Sequence, residues 1–273
     1  MNILIAEVKN CLYRREIHVT FLILFTLSIS GFIIECIAFF GSDLKFVRSA
    51  SESSLFQGTY ADTVMSTLIF ILPLIAAIIY ADSFYTDYHN GTLKVILTKI
   101  NKSTYIFYKA IVVFSLTFIT FFITLFISQV LSSMTFPSIG FDNMYALPPY
   151  DIGVQNYDET YFLDLIRLES PFLFNLISII NLSIFAGLFS LFTFGLFFNF
   201  LSKDRIFSVF FSFLVYIGIN LIVGLFFSSR LTLFNQLNPI HDGSLLELII
   251  WGLIILVVSI YLIVRGTKQE FIN

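Results

Sequence analysis

The chain of 273 residues is 58% hydrophobic and only 12% charged, with a mean hydropathy of +0.91. An ordinary globular chain carries about 25% charged residues, so this composition argues against a soluble protein and predicts an all-α integral membrane protein. The net charge of −3, together with the lack of any dense run of lysine and arginine, argues against a nucleic-acid partner.

The N-terminal segment, residues 1–16, predicts an amphipathic helix that lies in the membrane interface. Leu4, Val8 and Leu12 fall on one face of such a helix, whereas Glu7 and the basic residues fall largely elsewhere. This pattern is typical of interfacial helices. A simple positively charged orientation signal explains the same residues, and the two interpretations are compatible.

Six apolar runs are long enough to cross a bilayer, whose hydrocarbon core of about 30 Å needs about 20 helical residues. They cover approximately residues 17–40, 63–81, 106–131, 172–200, 206–228 and 245–264. The longest interval between them, residues 132–170, is rich in proline, glycine, aspartate and tyrosine and is too short for a separate soluble domain. We therefore expect a single transmembrane domain over residues 1–273.

The positions of the basic residues predict how the chain is oriented in the membrane. Eleven of the 15 lie on one side of the spans, namely Lys9, Arg14, Arg15, Lys94, Lys99, Lys102, Lys109, Lys203, Arg205, Arg265 and Lys268. Cytoplasmic loops are enriched in lysine and arginine, so both termini of this multi-pass protein are expected in the cytoplasm. The 132–170 loop is then extracellular, and its acidic residues, Asp142, Asp151, Asp158, Glu159, Asp164 and Glu169, make it anionic.

The loop between the second and third spans, residues 80–109, predicts a short amphipathic cytoplasmic helix. A turn at residues 89–91 is followed by Thr92, a residue type that often caps helix N-termini. Apolar residues then recur on one helix face: Leu93, Ile96, Leu97 and Ile100. A helix of this kind either lies on the lipid surface or is gripped and moved by another protein.

The same loop resembles the second-to-third-span loop of type-2 ABC exporter permeases, the ABC-2 family. In that family an acidic residue precedes a Gly-Thr-Leu helix start, a leucine-rich turn, a basic residue and a lysine that opens the next span. The corresponding residues here are Asp87, Gly91, Thr92, Leu93, Lys94, Leu97, Thr98, Lys99, Lys102 and Lys109. The family usually has Glu where Asp82 or Asp87 stands, and Pro-x-x-Arg where this chain has Ile-Asn-Lys-Ser at residues 100–103.

The overall layout is also similar to that family, including a short hairpin with Asn238-Pro239 before the last span. The resemblance implies the permease subunit of an ATP-driven exporter in a bacterial plasma membrane rather than an enzyme. Two ATP-binding subunits would be separate chains, because the sequence has no Gly-x-x-x-x-Gly-Lys-Ser/Thr loop. ATP and Mg²⁺ would bind there, and this chain would hold no cofactor and no metal.

The resemblance further implies a second permease copy or a homologue as a partner. Gram-positive members of the family that act in lantibiotic immunity handle antimicrobial peptides or lipids, so small or amphipathic apolar cargo is expected. By the same resemblance, the residues expected to couple the permease to the ATPase are Asp87, Gly91, Thr92, Leu93, Ile96, Leu97 and Lys99. Asp87, in the preceding helix, is expected to be a salt-bridge partner of residues 91–99.

The fifth span carries small or polar residues at every fourth position, Ser208, Ser212, Tyr216, Asn220 and Gly224. Such a row either packs against neighbouring helices or lines a transport pathway or the seam of a permease dimer. Glu35, near the outer end of the first span, is either paired at the interface or part of an ion-coupling site. An ion-coupled secondary transporter is the alternative function, followed by a polytopic membrane enzyme, for which no catalytic set converges.

Overall fold

The computed structural model describes residues 3–43, 47–138, 160–200 and 205–268. In these residues the chain is built from eleven α-helices and a short 3₁₀ helix at Ser229–Leu231. The α-helices are α1 (Ile3–Leu12), α2 (Arg15–Ala38), α3 (Asp62–Tyr80), α4 (Ser83–His89), α5 (Thr92–Leu97), α6 (Lys102–Thr135), α7 (Asp164–Glu169), α8 (Pro171–Asn199), α9 (Arg205–Phe226), α10 (Leu233–Leu237) and α11 (Leu245–Lys268).

Six helices in the described part of the chain are long and apolar enough to cross a membrane, α2, α3, α6, α8, α9 and α11. The prediction of an all-α membrane protein with six spans is therefore confirmed. The expected bounds differ from the observed ones by at most four residues, and the largest differences are at the ends of α6 and at Lys268. Polar residues at these helix ends continue the helix beyond the apolar run, so hydropathy alone places the boundaries too far inward.

The packing centres on two of the spans. About three fifths of the most apolar window of α8 and more than half of that of α3 are buried inside the chain. The helix α8 packs against α6 and α11, and α3 packs against α2, α8 and α9. In contrast, less than a quarter of the corresponding window is buried in each of α2, α9 and α11. Surfaces of this kind suit contact with lipid or with another membrane helix.

Small polar residues allow α2 and α6 to approach closely. The Ser28 hydroxyl donates a hydrogen bond to the Thr124 carbonyl at 3.1 Å, and the Ser128 hydroxyl donates to the Ser28 carbonyl at 3.1 Å. Both side chains are buried. Each serine hydroxyl thus finds its acceptor on the backbone of the facing helix. This reciprocal pair of hydrogen bonds holds the two spans together and leaves neither hydroxyl unpaired in the apolar interior.

The bundle has a basic end and an opposite end. The basic end carries α1, α4 and α5, together with the start of α6 and the end of α11. The opposite end carries the α2–α3 connection, α7 and α10. Among the acidic residues expected in the 132–170 loop, Asp142, Asp151, Asp158 and Glu159 lie outside the described residues. Asp164 begins α7 and is buried, with its carboxylate 2.6 Å from Nε of Arg167.

At the opposite end, the α2–α3 connection folds inward onto the ends of the spans. Asn175 of α8 is fully buried and donates to the Ser51 carbonyl at 2.8 Å and to the Ser54 hydroxyl at 2.9 Å. Its own side-chain oxygen accepts a hydrogen bond from Gln57 Nε2 at 2.7 Å. A single amide on the fourth span therefore organises the described part of this connection, and it satisfies polar groups that burial would otherwise leave unpaired.

Glu35 is the residue that joins this connection to the first span. Its Oε1 accepts hydrogen bonds from the backbone N–H of Tyr60 at 3.0 Å and of Ala61 at 2.9 Å, just before α3 begins. A Cβ at Gly58 would overlap the same carboxylate, so glycine is required there for the approach. Glu35 is therefore an interface-paired carboxylate that caps the N-terminus of α3.

Replacing Glu35 tests this capping role. Glu35→Ala leaves two backbone N–H groups without an acceptor and is expected to lower the free energy of unfolding by about 1–3 kcal/mol. Glu35→Gln retains one acceptor oxygen and should lower it by less than half as much. The measurement is thermal unfolding of the purified protein in detergent. Equal loss for both variants would show that the negative charge itself, rather than the cap, is required.

The face by which α1 packs differs from the prediction. Glu7 and Cys11 are buried, whereas Leu12 is half exposed and Ile5 is exposed. Leu4 and Val8 are partly buried against the core, as their spacing suggested. The prediction that Glu7 faces away from the apolar side was wrong because Glu7 finds polar partners on α3 and α6, which lowers the cost of burying a carboxylate.

Candidate functional site

The short helix α5 begins directly after a left-handed residue. Gly91 has φ of +73°, and nothing lies within 4 Å of the position that a Cβ would take there. Glycine adopts this conformation without steric cost, and it turns the chain sharply between α4 and α5. The prediction of Thr92 as the N-cap was wrong: Gly91 occupies the cap position, and the Thr92 hydroxyl donates back to the Asp87 carbonyl at 3.1 Å.

The apolar face of α5 is turned towards the bundle. Leu93 is buried at 3% exposure, and three further residues of that face pack half-buried against the core: Ile96, Leu97 and Ile100. The outward face carries Val95 and Thr98, flanked by Lys94 and Lys99, and all four are exposed. Val95 is 63% exposed although it is apolar. An exposed valine between two lysines gives this face the chemistry of a contact surface.

Beneath α5, a buried lysine joins three helices. Lys109 of α6 lies with Nζ 2.6 Å from Asp87 Oδ2 of α4 and 3.2 Å from Glu7 Oε2 of α1, and only 2% of its side chain is exposed. The Tyr105 hydroxyl donates to Asp87 Oδ2, and the Tyr80 hydroxyl donates to Glu7 Oε2 at 2.8 Å. Each carboxylate therefore receives a charged and a neutral donor. We call Glu7, Tyr80, Asp87, Tyr105 and Lys109 the Lys109 cluster.

A second group of charges links the start of α4 to the first and fifth spans. Asp82 is buried and accepts from Arg14 at 2.8 Å, while its other oxygen lies 2.9 Å from Nε of Arg205 on α9. Burial alone would lower the pKa of Arg14, but the Asp82 carboxylate, with Tyr80 and Glu16 nearby, raises it above its ordinary value. Both ends of α4 are thus held by ion pairs, Asp82 at its start and Asp87 near its end.

Cys11 lies beside these charges, in a region that is shielded from solvent. The side chain is fully buried, and burial raises the pKa of its thiol to about 12. The thiol is therefore protonated at neutral pH and is a packing group rather than a nucleophile. Salt bridges in such surroundings are screened less by solvent than those on a protein surface.

A comparison with known protein families agrees with this geometry. Residues 14–149, about half of the chain, match the family model described as ABC-2 family transporter protein. The chain belongs to the ABC-2 family. The matched region includes α2 to α6, and therefore α5 with most of the Lys109 cluster. Comparison with curated proteins gave no match, and neither did comparison with solved structures.

In this ABC-2 protein the structure brings together all seven residues to which coupling was assigned. Asp87 is in α4, Gly91 caps α5, and the rest lie on or just after α5: Thr92, Leu93, Ile96, Leu97 and Lys99. Asp87 forms a salt bridge, but with Lys109 of α6 rather than with a residue of the 91–99 segment. The residues divide into two groups, however, because Leu93, Ile96 and Leu97 contact the bundle, whereas Lys99 is exposed.

The row of residues in α9 contacts other helices of the same chain. Ser208, Ser212 and Tyr216 are buried; the Thr193 hydroxyl donates to Ser212 Oγ at 2.9 Å, and the Tyr216 hydroxyl donates to the Ile69 carbonyl at 3.2 Å. Asn220 accepts from the backbone N–H of Phe234 at 2.8 Å. Gly224 is exposed near the opposite end. Ser212, Tyr216 and Asn220 thus make packing contacts within the chain, and a role of the row in a transport pathway or dimer seam stays a prediction.

Sequence reasoning missed several residues of the ABC-2 site. Val95 was not singled out, although its position opposite the apolar face of α5 follows from the helical period. Glu7, Tyr80 and Tyr105 were also missed as partners of Lys109. A lysine three residues inside an apolar run is a signal for buried carboxylate partners, since an unpaired charge is costly there.

Proposed function

We propose that this ABC-2 transporter protein is the permease subunit of an exporter that a separate ATP-binding subunit drives from the basic end. The observation that carries the proposal is α5: one face is packed on the bundle, and the other presents Val95 and Thr98 between two lysines. A short helix that packs on the bundle by one face and leaves the other exposed is suited to insertion into a groove on another protein.

Movement of α5 would reach the spans through the ion pairs below it. Gly91 and the Thr92–Asp87 hydrogen bond tie α5 to α4, and Asp87 ties α4 to Lys109 on α6. Charge-assisted hydrogen bonds in a region of low dielectric hold these elements together more firmly than neutral contacts would. Asp82 makes the corresponding connection from α4 to Arg205 on α9. A force on α5 is thereby distributed to the third and fifth spans.

The orientation and the assembly belong to the same proposal. The basic end faces the cytoplasm, because lysine and arginine concentrate there, and the protein works in a bacterial plasma membrane. Two permease chains, either two copies or a copy and a homologue, pair with two ATP-binding subunits that hold ATP and Mg²⁺. Supporting this, α2 and α9 leave wide apolar surfaces exposed, including Leu22, Phe210 and Leu221. Small or amphipathic apolar cargo, such as an antimicrobial peptide or a lipid, suits those surfaces.

The test is purification of the tagged protein from the membranes of its source cells in mild detergent, followed by sequencing of the chains that co-purify. We expect a chain with the Gly-x-x-x-x-Gly-Lys-Ser/Thr loop, and we expect its ATP hydrolysis in reconstituted vesicles to depend on the permease. Transport that persists under an ion gradient without ATP would contradict the proposal and would favour a secondary transporter.

A further inference from the structure

An apolar groove of about 1060 Å³ runs along the bundle between α6, α8 and α11. It arises because α6 and α11 both pack on α8 but contact each other only slightly. On α11 its lining extends from Ile249 to Thr267, a distance of about 27 Å at 1.5 Å per helical residue. This length is close to the thickness of a bilayer hydrocarbon core, about 30 Å, so the groove lies at the depth of lipid acyl chains.

Gly252 deepens the groove at its middle. A Cβ at this position would make only ordinary contacts, with Phe185 at 3.8 Å and Leu188 at 3.9 Å. Glycine is therefore not required by the packing of α11 on α8. Its effect is to leave space beside the apolar side chains of Leu253 and Leu256, which line the same groove.

The polar groups of the groove are concentrated at the basic end. Ser103, Thr104 and Tyr108 of α6 line it there, and Thr267 faces them from α11. Lys268 is exposed one turn beyond Val264, on the edge of the α11 face that lines the groove. The remaining lining residues are almost entirely apolar. Lys268 thus places one basic group beside the polar end of an apolar cleft between spans, which is the chemistry that recognises an anionic lipid headgroup.

We infer that the groove binds one anionic phospholipid from the leaflet at the basic end, with an acyl chain along α11 and the phosphate near Ser103, Thr267 and Lys268. Charge complementarity favours this occupant over a second protein helix, because most of the polar lining residues, together with Lys268, lie at one end. A lipid has the same division into one charged end and a long apolar tail. The described residues that line the groove belong to α6, α8 and α11 and not to α5.

The experiment is native mass spectrometry of the purified full-length protein with added phosphatidylglycerol or phosphatidylcholine of matched chains. The wild-type protein should retain one phosphatidylglycerol in preference to phosphatidylcholine. Lys268→Gln should reduce phosphatidylglycerol retention about fivefold, since one basic residue near a headgroup contributes about that factor, and should not change phosphatidylcholine retention. Lys268 is exposed, so this variant is expected to fold normally.

Gly252→Leu tests the apolar part of the site, and Gly218→Leu on α9 is its matched control. Nothing lies within 4 Å of a Cβ at Gly218, so a leucine is accommodated there without filling the groove. We expect Gly252→Leu to reduce retention of both lipids and Gly218→Leu to leave it unchanged. Equal retention of the two lipids by the wild-type protein would overturn the inference. The inference would also be overturned if the Gly252→Leu variant kept its lipid. It would be overturned, too, if that variant lost a co-purifying protein chain instead of a lipid.

Discussion

Lys109→Met is expected to lower the free energy of unfolding by about 3 kcal/mol, because it leaves the buried Glu7 carboxylate and the partly exposed Asp87 carboxylate without their cation. The amine of Lys109 is the group that Asp87 and Glu7 share, and its side chain is only 2% exposed. Methionine retains the apolar stem, so the loss reports the charge rather than a cavity. Thermal unfolding in detergent, monitored by size-exclusion chromatography after heating, measures the effect.

Two controls separate this electrostatic effect from a general sensitivity of the protein. Lys94→Met changes an exposed lysine on α5 and should alter stability by less than about 0.5 kcal/mol. Combining Lys109→Met with Glu7→Gln and Asp87→Asn removes all three charges and should restore most of the lost stability. If Lys109→Met were as stable as Lys94→Met, the Lys109 cluster would not be a structural link between α1, α4 and α6.

Val95→Glu is expected to reduce permease-dependent ATP hydrolysis at least about tenfold while leaving the fold unchanged. Val95 is 63% exposed in the chain alone, so the new carboxylate stays in water until a partner covers it. Desolvating a new carboxylate at the centre of a protein contact costs about 2 kcal/mol or more. The measurement is ATPase activity of the reconstituted complex, with unfolding temperature as the check on folding.

Val95→Thr is the matched control, because it preserves the shape of the side chain and adds no charge. A third variant, Leu97→Glu, addresses the other face of α5, since Leu97 packs against the core. It should detach α5 from the bundle and abolish coupling with little change elsewhere. If the Val95→Glu complex kept full ATPase activity, the ATP-binding subunit would have to contact the permease somewhere other than the outward face of α5.

The spans and the apolar face of α5 could be predicted from the sequence because both depend on local patterns. A bilayer requires a long apolar helix, and a packed helix requires apolar residues at a period near 3.6. The face of α1 could not be predicted in this way. Glu7 is buried against Lys109, 102 positions further along the chain, and periodicity assigns every charged residue to the solvent side unless its partner is known.

The α9 row shows a different limit of sequence reasoning. Serine and tyrosine at four-residue spacing have the same appearance whether they pack against a neighbouring span or line a pathway. Only the positions of Thr193 and of the Ile69 carbonyl identify Ser212 and Tyr216 as packing groups within the chain. In α5, the family pattern likewise indicated its own motif positions and not Val95. Val95 becomes a candidate contact residue only when the structure shows which face of α5 the bundle leaves exposed.

The hydrogen bonds of Asn175 also constrain the order in which the protein is made. Ser51, Ser54 and Gln57 precede Asn175 by 118 to 124 positions, so the ribosome synthesises them long before their partner exists. At roughly 5–20 residues per second, the delay is on the order of ten seconds. During that interval the first two spans are in the membrane with their connection unfinished. The biogenesis of this transporter therefore includes a waiting step, which ends when the fourth span is inserted.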